Sequence, residues 1–85
     1  MVGTAEALVL YLRRNRYRTD LALRLARDPG TPGDVVWELI GSSDPYVRAE
    51  LCWRGDLPDR LLQRLCDDED AMVREAAAEV LADRG

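Results

Sequence analysis

The sequence predicts an all-α fold, a short α-solenoid in which three helical hairpins of about 26 residues supply six short helices. Two observations predict it. Apolar residues recur at spacings of three and four, which is typical of helices with one buried face. The sequence also matches itself when it is shifted by 26 residues. The length of 85 residues, with 47% of them apolar, indicates a single domain over 1–85.

The repeat is clearest between the second and third units. A shift of 26 residues superposes Pro32 on Pro58, Val35 on Leu61, Val36 on Leu62, Leu39 on Leu65, Asp44 on Asp70, Val47 on Val73, Arg48 on Arg74 and Leu51 on Ala77. The first unit matches after deletion of one residue, and the three units then cover 4–30, 31–56 and 57–82. Such self-similarity indicates stacked units that share a continuous core.

Each unit contains two predicted helices. The first helices are expected at 4–13, 32–41 and 58–66, and the second helices at 19–27, 45–53 and 71–82. Helices this short are marginal in isolation, so their stability must come from stacking of the apolar faces of adjacent units.

Side-chain caps are predicted at four helix starts. Thr31 before Pro32 and Asp44 before Pro45 place an acceptor at the N-cap and proline at the first helical position. Thr4 and Asp70 are expected to cap in the same way. The glycine-containing segments 28–30, 41–43 and 54–55 are expected to end helices.

Small and large apolar residues are expected to have different roles in the stack. Alanines allow close approach of the second helices, namely Ala22, Ala26, Ala49, Ala76, Ala77 and Ala78. Larger residues fill the space between layers, namely Leu39, Ile40, Leu61, Leu62 and Leu65. The end helices are expected to expose an apolar side through Leu8, Val80 and Leu81, which predicts self-association or docking to a larger protein.

The composition favours a non-enzymatic protein without a metal or cofactor. Histidine, the commonest general base and metal ligand, is absent. Cys52 and Cys66 are 14 residues apart, which matches no zinc-ligand spacing, and both are expected to be buried free thiols. No glycine-rich phosphate loop is present.

A cytoplasmic location is expected. No apolar run approaches the ~20 residues that span a bilayer, and residues 1–12 lack the basic start and cleavage site of a secretory signal. The net charge of −4 is unevenly distributed, because residues 44–85 carry six arginines against eleven acidic residues.

The turn and helix residues support a family resemblance. The pattern Asp-Pro-Gly-Thr-Pro-x-x-Val-Val-x-x-Leu-Ile, followed by Asp-Pro-x-Val-Arg-x-x-Leu-Cys, resembles the leucine-rich repeat variant, a HEAT-like family of short α-solenoids. The resemblance covers 19–82 well and 4–18 loosely. It implies a right-handed superhelix and a binding scaffold rather than a chemistry. One member type carries a cysteine-ligated iron–sulfur module, which this chain lacks the cysteines to hold.

Arg48 and Arg74 occupy one repeat position, each four residues after an aspartate, Asp44 and Asp70 respectively. The spacing predicts a structural ladder in which each arginine pairs along its helix and contacts carbonyl groups between layers. A ligand-binding role is the less favoured alternative. The acidic run 67–70 is interpreted as a solvated loop that caps the last helix rather than as a calcium site.

Each tryptophan occupies a position where at least one of the other units carries a polar residue. Trp37 aligns with Leu10 and Gln63, and Trp53 aligns with Arg27 and Glu79. Such positions are rarely deep in a core, so at least one indole is expected to be partly exposed and to anchor a partner. The alternative is that each tryptophan covers a gap between layers.

Segment 13–27 contains six arginines and one aspartate. Its residues Arg13, Arg14, Arg16, Tyr17 and Arg18 are candidate partner-binding residues. Tyr11 and Tyr17 are suited to stacking on bases, which makes nucleic acid a candidate partner. The net charge of −4 opposes that, so a solvated turn or a site for an acidic protein is favoured. The sequence therefore predicts a protein-interaction module for an acidic or apolar surface, with nucleic-acid binding as the alternative.

Overall fold

The computed structural model describes residues 3–85, and within them it contains six α-helices and no strand. The helices are α1 (Thr4–Arg14), α2 (Thr19–Arg27), α3 (Gly33–Ile40), α4 (Pro45–Cys52), α5 (Asp59–Leu65) and α6 (Ala71–Arg84). The predicted all-α class and the six helices are confirmed. Each start lies within one residue of its predicted position, and α6 continues two residues beyond its predicted end.

The helices form a short stack. In one row α2 packs on α4 and α4 packs on α6, while α1 packs on α3 beside them. Within units, α3 packs on α4 and α5 packs on α6. The described chain measures 41 × 22 × 17 Å, so the stack is longer in one direction than in the others. This arrangement is that of a short helical-repeat solenoid with α4 at its centre.

Residues at equivalent repeat positions have equivalent environments. Buried pairs related by the 26-residue shift are Val35 and Leu61, Val36 and Leu62, Leu39 and Leu65, Val47 and Val73, and Leu51 and Ala77. All five large residues predicted between layers are buried. Five of the six alanines are also buried, but Ala78 is exposed. The buried stripe of α6 contains Val73, Ala76 and Ala77, and a helix turns about 100° per residue, which directs Ala78 to solvent.

Two of the four predicted caps are confirmed. The carboxylates of Asp44 and Asp70 accept hydrogen bonds from the backbone N–H groups of Tyr46 (2.8 Å) and Met72 (2.9 Å). The prediction for Thr31 is wrong, because its hydroxyl donates to the carbonyl of Leu25 (2.6 Å) near the end of α2, and Pro32 takes the N-cap position. The prediction for Thr4 is also wrong. Thr4 is the first helical residue, and the preceding N-cap position makes no side-chain cap.

The ends of the stack are less apolar than expected. Leu8, Val80 and Leu81 are half-buried and pack against the core. The residues on which the prediction of self-association was based are therefore only partly exposed to solvent. Among residues 3–85, no helix has both the length and the hydropathy needed to cross a membrane.

Candidate functional site

Trp37 lies on α3 with 47% of its surface exposed. It borders an open groove of about 550 Å³ between α1 and α3, which is called the α1–α3 groove below. Val9 and Leu10 contribute apolar surface to this groove, and Glu6 and Asp34 contribute carboxylates. The groove therefore combines an exposed indole with a charged rim.

Trp37 also borders a second, smaller hollow of about 170 Å³ on the side of α5. The guanidinium of Arg60 lies 5.8 Å from the centre of the indole ring. A cation over an exposed ring contributes roughly 0.5–1 kcal/mol, which is enough to favour one orientation of the ring. The indole of Trp37 thus lies between the α1–α3 groove and the smaller hollow, and about half of its surface is exposed to solvent.

Trp53 lies at the C-terminal end of α4 and is 54% exposed. It borders a groove of about 590 Å³ between α2 and α4, called the α2–α4 groove below. Arg27 and Glu50 cross this groove as an ion pair, with 3.0 Å between Nε and Oε1. Both tryptophan grooves therefore join the first unit to the second.

The exposure of both indoles confirms the expectation that at least one is partly exposed. The polar residues at the equivalent repeat positions, Gln63, Arg27 and Glu79, are also exposed. The comparison of equivalent repeat positions is what predicted the exposure of the two tryptophans. The grooves had no sequence signal, because each is formed by helices from two different units.

The arginines of segment 13–27 are divided between paired and unpaired groups. Arg13 pairs with Glu38 at 3.0 Å, and Arg18 pairs with Asp20 at 3.1 Å. The hydrogen bond from Arg18 lowers the pKa of Asp20, and the same hydrogen bond raises the pKa of Arg18. Within residues 3–85, the exposed side chains Arg14, Arg16 and Arg24 form no ion pair.

Tyr11 on α1 and Tyr17 in the following turn differ in exposure, at 40% and 78%. Tyr17 is 78% exposed, and its hydroxyl donates to the side chain of Asn15 at 3.3 Å. The hydroxyl of Tyr11 accepts a hydrogen bond from Arg18 at 2.9 Å. Tyr17 is therefore the more accessible of the two rings.

A cavity of about 50 Å³ lies between the α1–α2 turn and the α3–α4 turn. We call it the turn cavity. Three arginines from the end of α1 and the turn after it line the cavity, together with two serines of the other turn and one carboxylate of α3: Arg13, Arg16, Arg18, Ser42, Ser43 and Glu38. The sequence indicated the arginines through their density, but it gave no sign that the two serines lie beside them.

The predicted pairing of Arg48 with Asp44 is wrong. Arg48 is buried, and its guanidinium forms a bidentate ion pair with Asp68, with Nε–Oδ2 and Nη2–Oδ1 distances of 2.8 and 3.0 Å. It also donates to the carbonyl of Ser42. Asp44 does not pair with Arg48 because its carboxylate caps α4.

Arg74, at the equivalent repeat position, has a weaker set of contacts. It is exposed and donates to the carbonyl of Asp68 at 2.7 Å. The expected pair with Asp70 is wrong for the same reason as before, because Asp70 caps α6. Both arginines contact carbonyl groups, but these carbonyls belong to the arginine's own unit and not, as was predicted, to the next layer. Only Arg48 joins two units, through its buried ion pair with Asp68.

The ion pair with Arg48 stabilises the charged form of Asp68 in the folded protein. Burial alone would raise the pKa of Asp68, but hydrogen bonds from Arg48 and from the backbone of Asp70 outweigh it and hold that pKa below its ordinary value. A carboxyl group with a lowered pKa in the folded state stabilises the fold above its unfolded pKa. That contribution is lost as the pH falls through the lower folded value.

We therefore expect the melting temperature to fall more steeply in the wild type than in Asp68→Asn as the pH is lowered below about 4. The variant lacks the titrating group, whereas Asp20 and Asp56 have lowered pKa values in both proteins and serve as the internal control. Thermal unfolding followed by circular dichroism across this pH range measures the difference. Parallel curves for the two proteins would contradict the assignment.

Arg54 is a structural residue that the sequence did not identify. Its Nη1 donates to the carbonyls of Ala26 (2.9 Å) and Asp28 (2.8 Å), which end α2, and its Nε and Nη2 bind Asp56. Arg84 in turn donates to the carbonyl of Arg54 at 3.1 Å. The only local signal was an aspartate two residues after the arginine, an arrangement that Arg18 and Asp20 share.

The two cysteines differ in burial. Both are free thiols, with Cys52 buried as predicted and Cys66 only half-buried. Burial raises the pKa of Cys52 to about 11, which keeps it protonated at neutral pH. Within residues 3–85, no group of three or more cysteine and carboxylate side chains is arranged to hold a metal ion.

A family model for the HEAT repeat matches residues 60–83, the segment from α5 to α6. No curated protein and no solved structure gives a significant match. The match agrees with the HEAT-like part of the sequence resemblance, whereas the leucine-rich repeat variant gains no support. The match covers one repeat, and together with the six-helix stack it supports a short helical-repeat solenoid fold.

Proposed function

We propose that the chain is a non-enzymatic protein-interaction module that binds an apolar or acidic protein surface. The observation that carries this proposal is the pair of half-exposed tryptophans, each at a groove between the first and second units. Solenoid repeats of this kind form extended binding surfaces, which agrees with the HEAT match.

The tryptophan grooves have the features of interaction hot spots. Tryptophan dominates such sites because it buries a large apolar area and also carries a hydrogen-bond donor. In the α1–α3 groove, Trp37 and Leu10 together offer apolar surface, with exposed fractions of 47% and 44%. Charged residues surround them and would form the polar rim of an interface.

The sequence has no histidine, and burial raises the pKa of Cys52 to about 11, so two common catalytic groups are missing; this supports a non-enzymatic role. A cytoplasmic location is part of the same proposal and rests on the sequence composition. Binding to nucleic acid is the alternative, favoured by the exposed Tyr17 and by Arg14, Arg16 and Arg24, which form no ion pair within residues 3–85. The ion pairs of Arg13, Arg18 and Arg27 with carboxylates weaken that alternative.

Replacing Trp37 or Trp53 with alanine is expected to reduce capture of the partner at least about tenfold, because truncating a hot-spot tryptophan removes roughly 2 kcal/mol or more of binding free energy. Affinity capture from the native host, quantified by mass spectrometry, compares the variants with the wild type.

Tyr46→Ala is the matched control, because Tyr46 is 64% exposed and borders neither groove. Circular dichroism should show folded variants with melting temperatures near that of the wild type. If the same proteins are captured equally by the wild type and by the double tryptophan variant, the grooves are not the binding site.

A further inference from the structure

The turn cavity has a cationic wall in a protein whose net charge is negative. Arg13, Arg16 and Arg18 line it from one side, and Glu38 is its only acidic lining residue. The charge of Glu38 is balanced by Arg13, and the charge of Arg18 is balanced by Asp20 outside the cavity. Arg16 has no ion-pair partner among residues 3–85, so the cavity retains a positive charge.

Several residues that carry hydrogen-bond donors line the same space. The ion pair of Arg13 with Glu38 uses only Nε, which leaves both Nη groups of Arg13 available. The hydroxyls of Ser42 and Ser43 lie on the opposite turn, and the hydroxyl oxygen of Ser42 accepts from the N–H of Asp44 at 3.2 Å, so its proton remains free to be donated. Arginine forks and hydroxyls on several sides suit an anion with several acceptor oxygens.

We infer that the turn cavity binds a phosphate group, presented by a phosphorylated side chain of a partner protein or as free phosphate. A volume of about 50 Å³ exceeds the roughly 10–15 Å³ that a cavity needs to hold one water molecule, so it admits a larger group. A tetrahedral oxyanion offers acceptors to Arg13, Arg16 and the serines together, whereas a planar carboxylate offers two oxygens. Binding of a phosphorylated partner protein rests on the proposed interaction function, whereas binding of free phosphate in the turn cavity is independent of it.

The first test uses inorganic phosphate as the probe. The ¹⁵N-labelled protein is titrated at pH 7 and constant ionic strength, and saturable shifts are expected in the backbone resonances of Arg16, Ser42 and Ser43. Arg16→Gln is expected to weaken binding about tenfold, because it removes the unpaired guanidinium and its charge-assisted hydrogen bonds. Arg16→Lys should retain part of the affinity, since it keeps the charge without the fork.

Arg24→Gln is the matched control. It removes the same charge from an exposed arginine outside the cavity, and it should leave phosphate binding nearly unchanged. All three variants alter exposed side chains, so their circular dichroism spectra should match that of the wild type. Equal weakening in Arg16→Gln and Arg24→Gln, or shifts spread along the whole chain, would show only a general charge effect and would overturn the site.

The second test separates the sources of phosphate. A phosphoserine peptide that binds more tightly than free phosphate, while its unphosphorylated form does not bind, identifies a protein source. Equal affinity for the phosphopeptide and free phosphate identifies a small anion and still supports the cavity. An RNA oligonucleotide that binds more tightly than either, insensitive to Arg16→Gln, would overturn the proposal. Because the phosphate titration needs no partner, its failure leaves the tryptophan capture experiment unaffected.

Discussion

Replacing Arg48 with alanine is expected to lower the free energy of unfolding by about 3 kcal/mol, because breaking a buried ion pair leaves the other charge without a partner. The side chains of Arg48 and Asp68 are only 9% and 10% exposed, so water cannot replace the lost guanidinium well. For a domain of this size the change corresponds to a fall in melting temperature on the order of 15 °C. Thermal and urea unfolding followed by circular dichroism provide the measurement.

The repeat itself supplies the control for this prediction. Arg74 occupies the equivalent position but is exposed and contacts one carbonyl, so Arg74→Ala is expected to lower the free energy of unfolding by only about 0.5 kcal/mol. If the two variants lose equal stability, the buried pair has no special role. A double-mutant cycle with Asp68→Asn should give a coupling energy above about 1 kcal/mol.

The sequence predicted what depends on short-range pattern. Apolar spacing located the helices to within one or two residues, and the caps by Asp44 and Asp70 followed from their places at helix starts. The same local reasoning failed for the pairing of Arg48. The i, i+4 rule nominated Asp44, but the N–H of Tyr46 already engages that carboxylate, and Asp68 approaches only because α4 and α6 pack together.

The parts of the candidate site differed in how far the sequence could define them. Polar residues at sister positions predicted the exposure of Trp37 and Trp53, because equivalent positions of a repeat share an environment. The α1–α3 groove, the α2–α4 groove and the turn cavity depend on how two units meet, which no single segment encodes. Arg54 was missed for the same reason, since the carbonyls that it binds lie 26 and 28 residues earlier in the chain.

Leu51→Ala is expected to remove about 3 kcal/mol or more from the free energy of unfolding, because it leaves a cavity at a fully buried position. Leu51 is 0% exposed and lies on α4, which packs against both α2 and α6. Small domains are typically stable by only about 5–10 kcal/mol, so much of the reserve would be lost. Urea unfolding gives the free energy, and Leu25→Ala, at the equivalent but half-buried position of the first unit, should cost less.

Amide hydrogen exchange tests whether this loss is shared by the whole stack. The short helices have little stability of their own, so the three units should unfold together. Leu51→Ala should therefore reduce protection in the slowest-exchanging amides of α2 and α6 by the same free energy as in α4. If exchange rises only in α4 while α2 and α6 keep their protection, the units are independent, and contact between neighbours is not what holds the helices folded.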